Sequence, residues 1–354
     1  MTEMQKRLIA AAQRVEKTMN EQPFTCLYPG CSELPIQSHS QQEGGPLKAI
    51  QREGKVYSIR RRMETTFVDL SRSSDCLPPV CLTPISRATT FAGFCNRHDT
   101  DLFSCLENVP HLTPGNMDQI LALYRRSIAF AVANRRFNLN QMLGMAQTLP
   151  ELKDNPMLGG TIVNWGIMLK YDMECTYQPA FDSDAAERFE FVWRVIPRNI
   201  GISCASGIPS LDDEAGDALV GELIDYSTRT MKAPRPIVSF NVVPESDRTH
   251  VVLIWDKQFL PYVNDIRASA SSYDKDVVEQ FFNEALLNRS EDFTVSPDLW
   301  EGLSDSERNT VRRLIIPEHM REKVEVPRLV SLDGIGPVVN ASLTAQDKES
   351  TTAD

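Results

Sequence analysis

The sequence lacks any uninterrupted apolar run long enough for a membrane helix or for the core of a signal peptide. Its first 24 residues, MTEMQKRLIAAAQRVEKTMNEQPF, mix charges with apolar residues throughout. We therefore expect a cytoplasmic protein with no membrane partner. In that compartment the eight cysteines are more naturally thiols or metal ligands than a disulfide framework.

An excess of positive charge is also missing. The chain has 37 lysines and arginines against 48 aspartates and glutamates, a formal net charge of −11, which argues against a protein that coats nucleic acid nonspecifically. Residues 1–110 are nearly neutral, with 13 basic and 12 acidic residues, whereas the remainder carries 24 and 36. A local nucleic-acid site in the first part is compatible with this distribution.

Two motifs of common enzyme sites are absent. The sequence contains neither the phosphate-binding pattern GxxxxGK[ST] nor the nucleophile pattern GxSxG. We assign no site role to His111, His250 and His319, because an isolated histidine is more often a surface residue or a satisfied core residue than a catalyst.

Two short clusters of soft ligands are the strongest local signal. Cys26 and Cys31 enclose the turn-like Leu-Tyr-Pro-Gly, and Cys95 and His98 stand three residues apart at the start of a predicted helix. Two such half-sites can form a tetrahedral Cys3His zinc site. A zinc-binding turn joined to a helix is also the arrangement of a treble-clef module.

Counting alone leaves other ligand sets open, since 64 residues separate Cys31 from Cys95. Cys76 and Cys81 repeat the spacing of Cys26 and Cys31. A second candidate ligand set therefore consists of Cys26, Cys31, Cys76 and Cys81. His39 could supply the fourth ligand in place of His98. The cysteines could also be ordinary buried thiols.

The residues between the two half-sites carry a resemblance. Ile36-Gln-Ser-His39-Ser follows the first cluster, a short helix and a strand (54–60) come next, and FxGFCxxHDxxLF closes the segment. This order resembles the HNH, or ββα-metal, nuclease superfamily over roughly residues 20–110. The C-x4-C…SHS…FCxxHD pattern is also similar to that of a group of bacterial proteins whose activity is not established.

The resemblance implies roles for individual residues. His39 matches the general base that activates water, and Asp99 matches the helix residue that holds a catalytic divalent ion, Mg²⁺ or Mn²⁺. Ser38 departs from the pattern, because it stands where an Asp or His metal ligand is usual. A serine hydroxyl is a poorer ligand for a hard divalent ion than a carboxylate is.

A basic run lies beside these residues. Residues 34–62 contain six basic and two acidic residues, and Arg60, Arg61 and Arg62 are consecutive. The run is interpreted either as a patch that binds the phosphate backbone of DNA or RNA or as a solvated strand end.

Hydrophobic periodicity predicts an α+β protein. Two helices are expected between residues 113 and 152, with Arg125 and Arg126 on the polar side of the first, and strands at 189–196, 200–206, 236–243 and 249–255. The predicted parts are an N-terminal helix (1–20), the HNH-like zinc module (21–110), a helical connector (111–180), an antiparallel sheet flanked by helices (181–335) and a disordered tail (336–354).

Two functions are compatible with the sequence. The first is a metal-dependent HNH-type endonuclease, for which the resemblance suggests a role in bacterial defence. The second is a noncatalytic protein whose zinc is structural and whose C-terminal domain binds a protein or a small ligand. The pairing of His39 with Asp99 favours the first, and Ser38 and the net charge favour the second.

Overall fold

The computed structural model describes residues 6–7, 10–11, 14–15, 17–18, 24–60, 80–149, 156–209, 224–316 and 324–340, without the side chains of Arg60 and Met157. Within these ranges the chain is a mixed α+β protein with one large antiparallel sheet and helices, which confirms the α+β part of the prediction. The described residues between 6 and 18 are helical.

Twelve strands occur in the described residues. They are β1 (Gln37–His39), β2 (Lys55–Arg60), β3 (Cys81–Pro84), β4 (Thr90–Ala92), β5 (Phe189–Ile196), β6 (Ile202–Pro209), β7 (Ile224–Asp225), β8 (Thr230–Met231), β9 (Ile237–Pro244), β10 (Thr249–Asp256), β11 (Asp292–Val295) and β12 (Val339–Asn340).

The longer helices follow the same chain order. They are α1 (Asn96–Glu107), α2 (Met117–Thr148), α3 (Pro156–Asp172), α4 (Leu260–Ser271), α5 (Lys275–Glu284), α6 (Pro297–Gly302) and α7 (Asp305–Leu314). Ser304 caps α7 in a reciprocal capping box with Glu307, as the sequence pattern indicates. None of the helices in the described ranges is long and apolar enough to cross a membrane.

Eight strands form the large sheet in the order β12-β5-β10-β9-β6-β11-β2-β3, and every neighbouring pair is antiparallel. Its central strands read as nearly continuous apolar runs because both faces of the sheet are covered. On one face, α2 packs on Trp193 and Val252. On the other, α4 and α5 pack on Leu253 and Phe240.

The segment between the two metal half-sites contributes strands to this sheet. β2 pairs with β11 so that Tyr57 lies opposite Val295, and β3 pairs with β2. Arg52 strengthens the junction with ion pairs to Asp298 (2.9 Å) and Glu301 (2.6 Å). The large sheet therefore unites residues of the predicted zinc module with residues of the predicted C-terminal domain.

The structure corrects two of the secondary-structure expectations. The two helices predicted between 113 and 152 are one helix, α2, of 32 residues. The predicted disordered tail starts too early, because Gly336 donates a backbone hydrogen bond to Val195 and β12 then pairs with β5. Residues 341–354 lie outside the described residues, as do Arg61, Arg62 and Cys76.

Candidate metal centre

The first half of the candidate centre is a tight turn at residues 26–31. The Cys26 amide donates to the carbonyl of Glu33 (2.8 Å), and the Cys31 amide donates to the carbonyl of Tyr28 (3.0 Å). Gly30 has a φ of 76°, a left-handed conformation that glycine adopts without strain. These bonds bring the two thiols to the same side of the turn.

The second half is the beginning of α1. Cys95 precedes the helix with an extended backbone, and its carbonyl accepts the amide of Asp99 (2.9 Å). His98 lies in the first turn, three residues after Cys95, so the two side chains project from one side of the helix. The Cys95 amide donates to Sγ of Cys26 (3.2 Å) and thereby joins the two halves.

Cys26, Cys31, Cys95 and His98 form a cluster that could hold a metal ion. Their ligand atoms all lie within 4.8 Å of one another. His98 Nδ1 lies 3.5 Å from Sγ of Cys26 and 3.3 Å from Sγ of Cys95. Tetrahedral zinc with ordinary bond lengths has sulfur–nitrogen edges of about 3.6 Å. Among the described residues this is the sole such group of three or more.

Aromatic packing fixes the His98 imidazole. The ring of Tyr28 stacks on it with centroids 3.9 Å apart, and Phe181 packs its edge on Tyr28 at 5.5 Å. The Tyr177 hydroxyl donates to the carbonyl of Leu27 (2.7 Å), which ties the turn to the segment after α3. The orientation of the ligand is therefore held by residues far away in sequence.

One contact must change when a metal binds. Arg97 Nη2 lies 3.2 Å from His98 Nε2, and a guanidinium can only donate. A metal at Nδ1 needs the imidazole proton on Nε2, so the exposed Arg97 side chain would have to turn away.

The competing ligand sets are not assembled in the described part of the chain. Cys81 is exposed at the start of β3, opposite Ser58 of β2, and is not a member of the cluster. His39 is not a member either, because its imidazole bonds elsewhere. Cys76 lies outside the described residues.

His39 ends β1, where it pairs with Thr90 of β4. Its Nδ1 lies 3.0 Å from the carbonyl of Ala88, to which it can donate, and its Nε2 lies 3.6 Å from Glu43 Oε2. Burial lowers the pKa of His39, and the charge of Glu43 opposes that shift. The neutral imidazole with its proton on Nδ1 leaves an acceptor lone pair on Nε2.

Asp99 projects from the first turn of α1, and Ser38 accompanies it. The buried Ser38 hydroxyl accepts the amide of Phe94 (3.1 Å) and hydrogen-bonds to the Asp99 carboxylate. Burial raises the pKa of Asp99, while this hydrogen bond lowers it. The carboxylate oxygen Oδ1 is buried and has no hydrogen-bond partner among the described residues.

The sequence interpretation missed Arg126. It was expected on the polar side of its helix, yet it is only 4% exposed, because Glu107 of α1 pairs with it at 2.6 Å and the Phe103 ring lies 4.0 Å below its guanidinium. The Arg126 charge lowers the pKa of both His39 and Asp99, so it lies within electrostatic range of both residues. Spacing in sequence could not reveal the ion pair of Arg126 with Glu107, because it depends on how α1 and α2 pack.

Glu43 was missed as well. Its signal was its position four residues after His39, but the chain between them is not a regular helix, so helical spacing did not predict the contact.

Arg60 ends β2 opposite Asp292, and its side chain lies outside the described residues together with Arg61 and Arg62. The predicted basic run stays a prediction.

Comparison with known proteins identifies no relative. No protein-family model, no curated protein and no solved structure matches this chain. The function is therefore inferred from the geometry of its own residues.

Proposed function

We propose that this protein is a metal-dependent endonuclease of the HNH type that hydrolyses phosphodiester bonds in DNA or RNA. The observation that carries the proposal is that His39 and Asp99 lie close enough beside the Cys3His cluster for the charge of each to act on the other. His39 ends β1 of the two-stranded antiparallel β1–β4 sheet, and Asp99 lies in the helix that follows β4. An antiparallel strand pair followed by a helix is the order of the superfamily the sequence resembles, although here residues 40–89, with β2 and β3, lie between the two strands.

The Cys26, Cys31, Cys95 and His98 cluster is proposed to bind zinc in a treble-clef module. Three thiolates and one imidazole are a ligand set that zinc prefers. Four protein ligands leave no open position, so this zinc would be structural and would not take part in the reaction. Its role would be to hold β1 and α1, and with them His39 and Asp99, in place.

The residues present fit a second, catalytic divalent ion. The buried Oδ1 of Asp99, which has no hydrogen-bond partner in the described part of the chain, is the kind of oxygen that Mg²⁺ or Mn²⁺ takes as a ligand. Ser38 does not serve as a ligand in this proposal, because its hydroxyl is engaged by Phe94 and Asp99. When bound, the ion would supply Lewis-acid activation of the scissile phosphate.

His39 is proposed to act as the general base. The hydrogen bond from Nδ1 to Ala88 orients the imidazole and fixes its proton, so that Nε2 can accept a proton from the attacking water. Arg60, Arg61 and Arg62 are proposed to contact the nucleic-acid backbone. The resemblance also suggests a role in bacterial defence. A phage plaque assay in a host that expresses this protein tests that role.

The test is cleavage of supercoiled plasmid and of a folded RNA by the full chain with added Mg²⁺ or Mn²⁺. We expect His39→Ala and Asp99→Asn to lower the cleavage rate at least about 100-fold, in line with the loss of a general base or a metal ligand. His111→Ala is the matched control, because His111 is an exposed histidine that pairs with Glu245 and not with His39 or Asp99. Cleavage that survives His39→Ala at unchanged zinc content would contradict the proposal.

A second function is favoured by one specific observation. The segment between the two half-sites is part of the large sheet through β2 and β11, so the metal site also fixes the sheet edge. A noncatalytic protein that is stabilised by zinc and binds a protein or small ligand through its C-terminal part would use the site in this way. Full zinc content with no cleavage of DNA or RNA would favour this function.

A further inference from the structure

The Glu43 carboxylate lies beside the imidazole nitrogen that the proposed reaction uses. Its Oε2 is 3.6 Å from His39 Nε2, slightly beyond the usual length of a hydrogen bond. The side chain of His39 is 18% exposed and that of Glu43 is 45% exposed. Glu43 is therefore accessible to solvent, while His39 is largely shielded from it.

The backbone that carries both residues is held in place. β1 ends at His39, and the amide of the next residue, Ser40, donates to the carbonyl of Thr89 (3.0 Å). After Glu43 the chain turns, and Leu47 at the end of that turn is fully buried. The separation of the two side chains is thus set by fixed points on both sides of Glu43.

The contact with Ala88 decides what His39 presents to Glu43. Nδ1 of His39 lies 3.0 Å from the Ala88 carbonyl, which can only accept, so Nδ1 carries a proton. Neutral His39 therefore has a lone pair on Nε2, and two acceptors lie 3.6 Å apart. When Nε2 takes up a proton, an N–H replaces the lone pair and the contact becomes attractive. The contact thus favours the imidazolium over the neutral ring.

Other groups act on the same imidazole. Burial has the largest effect and lowers the pKa of His39, and the positive charge of Arg126 lowers it as well. Glu43 gives the largest opposing effect, and the contact with Ala88 and the charge of Asp99 act in the same direction as Glu43. A general base is most effective when its pKa lies near the working pH, so Glu43 offsets part of what burial takes away.

We propose that Glu43 is a positioning residue for His39, whose carboxylate pairs with the N–H that Nε2 acquires when the imidazole takes a proton from the attacking water. The proton moves to Nε2 as the water oxygen bonds to phosphorus. The bond from phosphorus to the leaving oxygen breaks, and that oxygen takes a proton from solvent. Glu43 stays ionised and touches neither water nor phosphate.

This role affects the rate of the reaction more than the binding of substrate. The attraction between Glu43 and His39 exists only after the proton has moved, and an interaction that strengthens toward the transition state raises kcat. The role in cleavage rests on the proposed nuclease function. The pairing of protonated His39 with Glu43 does not, because it can be measured without substrate.

The first experiment is an NMR titration of His39 in the full chain, with histidine side chains labelled with ¹⁵N and no added divalent ion. The signals of His39 are those that disappear in His39→Ala. We expect the neutral ring to carry its proton on Nδ1. In Glu43→Gln, which removes the charge and keeps the length of the side chain, we expect the titration midpoint of His39 to move to lower pH.

Glu53→Gln is the matched control. Glu53 is an exposed glutamate in the turn before β2 and is not the ion-pair partner of His39. Its substitution changes the net charge by the same amount, so the midpoint of His39 should stay at the wild-type value. Glu43→Asp keeps the carboxylate on a shorter side chain, and its midpoint should lie between those of the wild type and Glu43→Gln.

The second experiment measures plasmid cleavage against pH with added Mg²⁺ or Mn²⁺. We expect Glu43→Gln to lower kcat about three- to tenfold at pH 8, as a weakened general base predicts, and to move the acidic limb of the profile to lower pH. A purely structural role would lower the rate equally at every pH and leave the limb in place.

Two results of the NMR titration would overturn the proposal. One is a midpoint of His39 that does not move in Glu43→Gln, or that moves equally in Glu53→Gln. The other is a neutral His39 with its proton on Nε2, which is read on the wild-type protein and so does not depend on the folding of a variant. A shifted midpoint with an unmoved cleavage profile would overturn the role in the reaction. A shifted midpoint with no cleavage by the wild type would contradict the nuclease proposal and keep the pairing of His39 with Glu43.

Discussion

Tyr28 and His98 stack face to face, with ring centroids 3.9 Å apart and planes only 9° from parallel. The two residues belong to opposite halves of the candidate metal centre, so this contact couples the turn at residues 26–31 to the start of α1. The orientation of a metal-binding imidazole is set by what surrounds it, and altering those surroundings commonly costs 10- to 100-fold in metal affinity.

Loss of the Tyr28 ring should weaken metal binding. We expect Tyr28→Ala to lower zinc affinity about tenfold, because the imidazole of His98 loses its stacking partner. Tyr28→Phe keeps the ring and should stay close to the wild-type affinity. Competition with a chromophoric chelator measures both values. Equal affinities for the alanine and phenylalanine variants would show that the stack does not position the ligand.

Metal content should distinguish the competing ligand sets. The protein purified without chelator or affinity metal is expected to hold about one zinc per chain by mass spectrometry, and Cys95→Ser should lose it. Cys81→Ser is the control, since Cys81 is exposed and outside the cluster. Retention of zinc in Cys95→Ser and its loss in Cys81→Ser would instead support the set that includes Cys76.

Removal of the Ser38 hydroxyl should destabilise the fold. Ser38→Ala leaves the amide of Phe94 buried without its acceptor, and takes one hydrogen bond from Asp99. We expect the free energy of unfolding to fall by about 1–3 kcal/mol, measured by urea denaturation. Ser183→Ala changes an exposed serine and should have little effect. A Ser38→Ala variant as stable as the wild type would mean that water replaces the hydroxyl.

Stability should decrease in mild acid because of His250. This residue is 1% exposed, its Nδ1 accepts the indole N–H of Trp193 (3.0 Å), and burial lowers its pKa. Glu245 raises that pKa, while Arg248 and His111 lower it further. In the unfolded chain this histidine takes up a proton below a pH of about 6.5, whereas in the folded chain it stays neutral until a lower pH.

The contribution of His250 to the free energy of unfolding is therefore present above about pH 6.5. It is lost as the pH falls toward the lower pKa that His250 has in the folded state. His250→Asn removes the titrating group and keeps an oxygen that can accept from Trp193. We expect a shallower fall in unfolding free energy between about pH 6.5 and 5 for this variant, by urea denaturation at each pH. Identical slopes for the two proteins would assign the acid sensitivity to other groups.

Local sequence signals predicted the elements whose determinants are local. Strand β5 has the bounds 189–196 that its apolar run predicts, because Pro197 prevents its extension. The ligand set of the candidate metal centre was also a sequence prediction, since a turn of the C-x4-C type and a helix beginning at Cys95 each place two ligands together. The structure brings these four residues into one cluster.

Features that depend on packing between distant elements could not be predicted. The strand 54–60 was expected, but no local pattern indicates that β2 pairs with β11, more than 230 residues later. Burial of Arg126 likewise requires Glu107 and Phe103 from another helix. Hydrophobic periodicity places a charged residue on the outside of its helix by default, because it contains no information about the partner that neutralises the charge.

The distance in sequence between the two halves of the candidate metal centre has a kinetic consequence. Cys31 and Cys95 are 64 residues apart, and β1 must find β4 across nearly the same stretch of chain. Closing so long a loop is entropically unfavourable and slows the formation of non-local strand pairs. An ion captured by both halves in the unfolded chain would close the loop before β1 pairs with β4. Refolding should therefore be faster from the metal-loaded denatured state than from the metal-free one, even where the native state is equally populated.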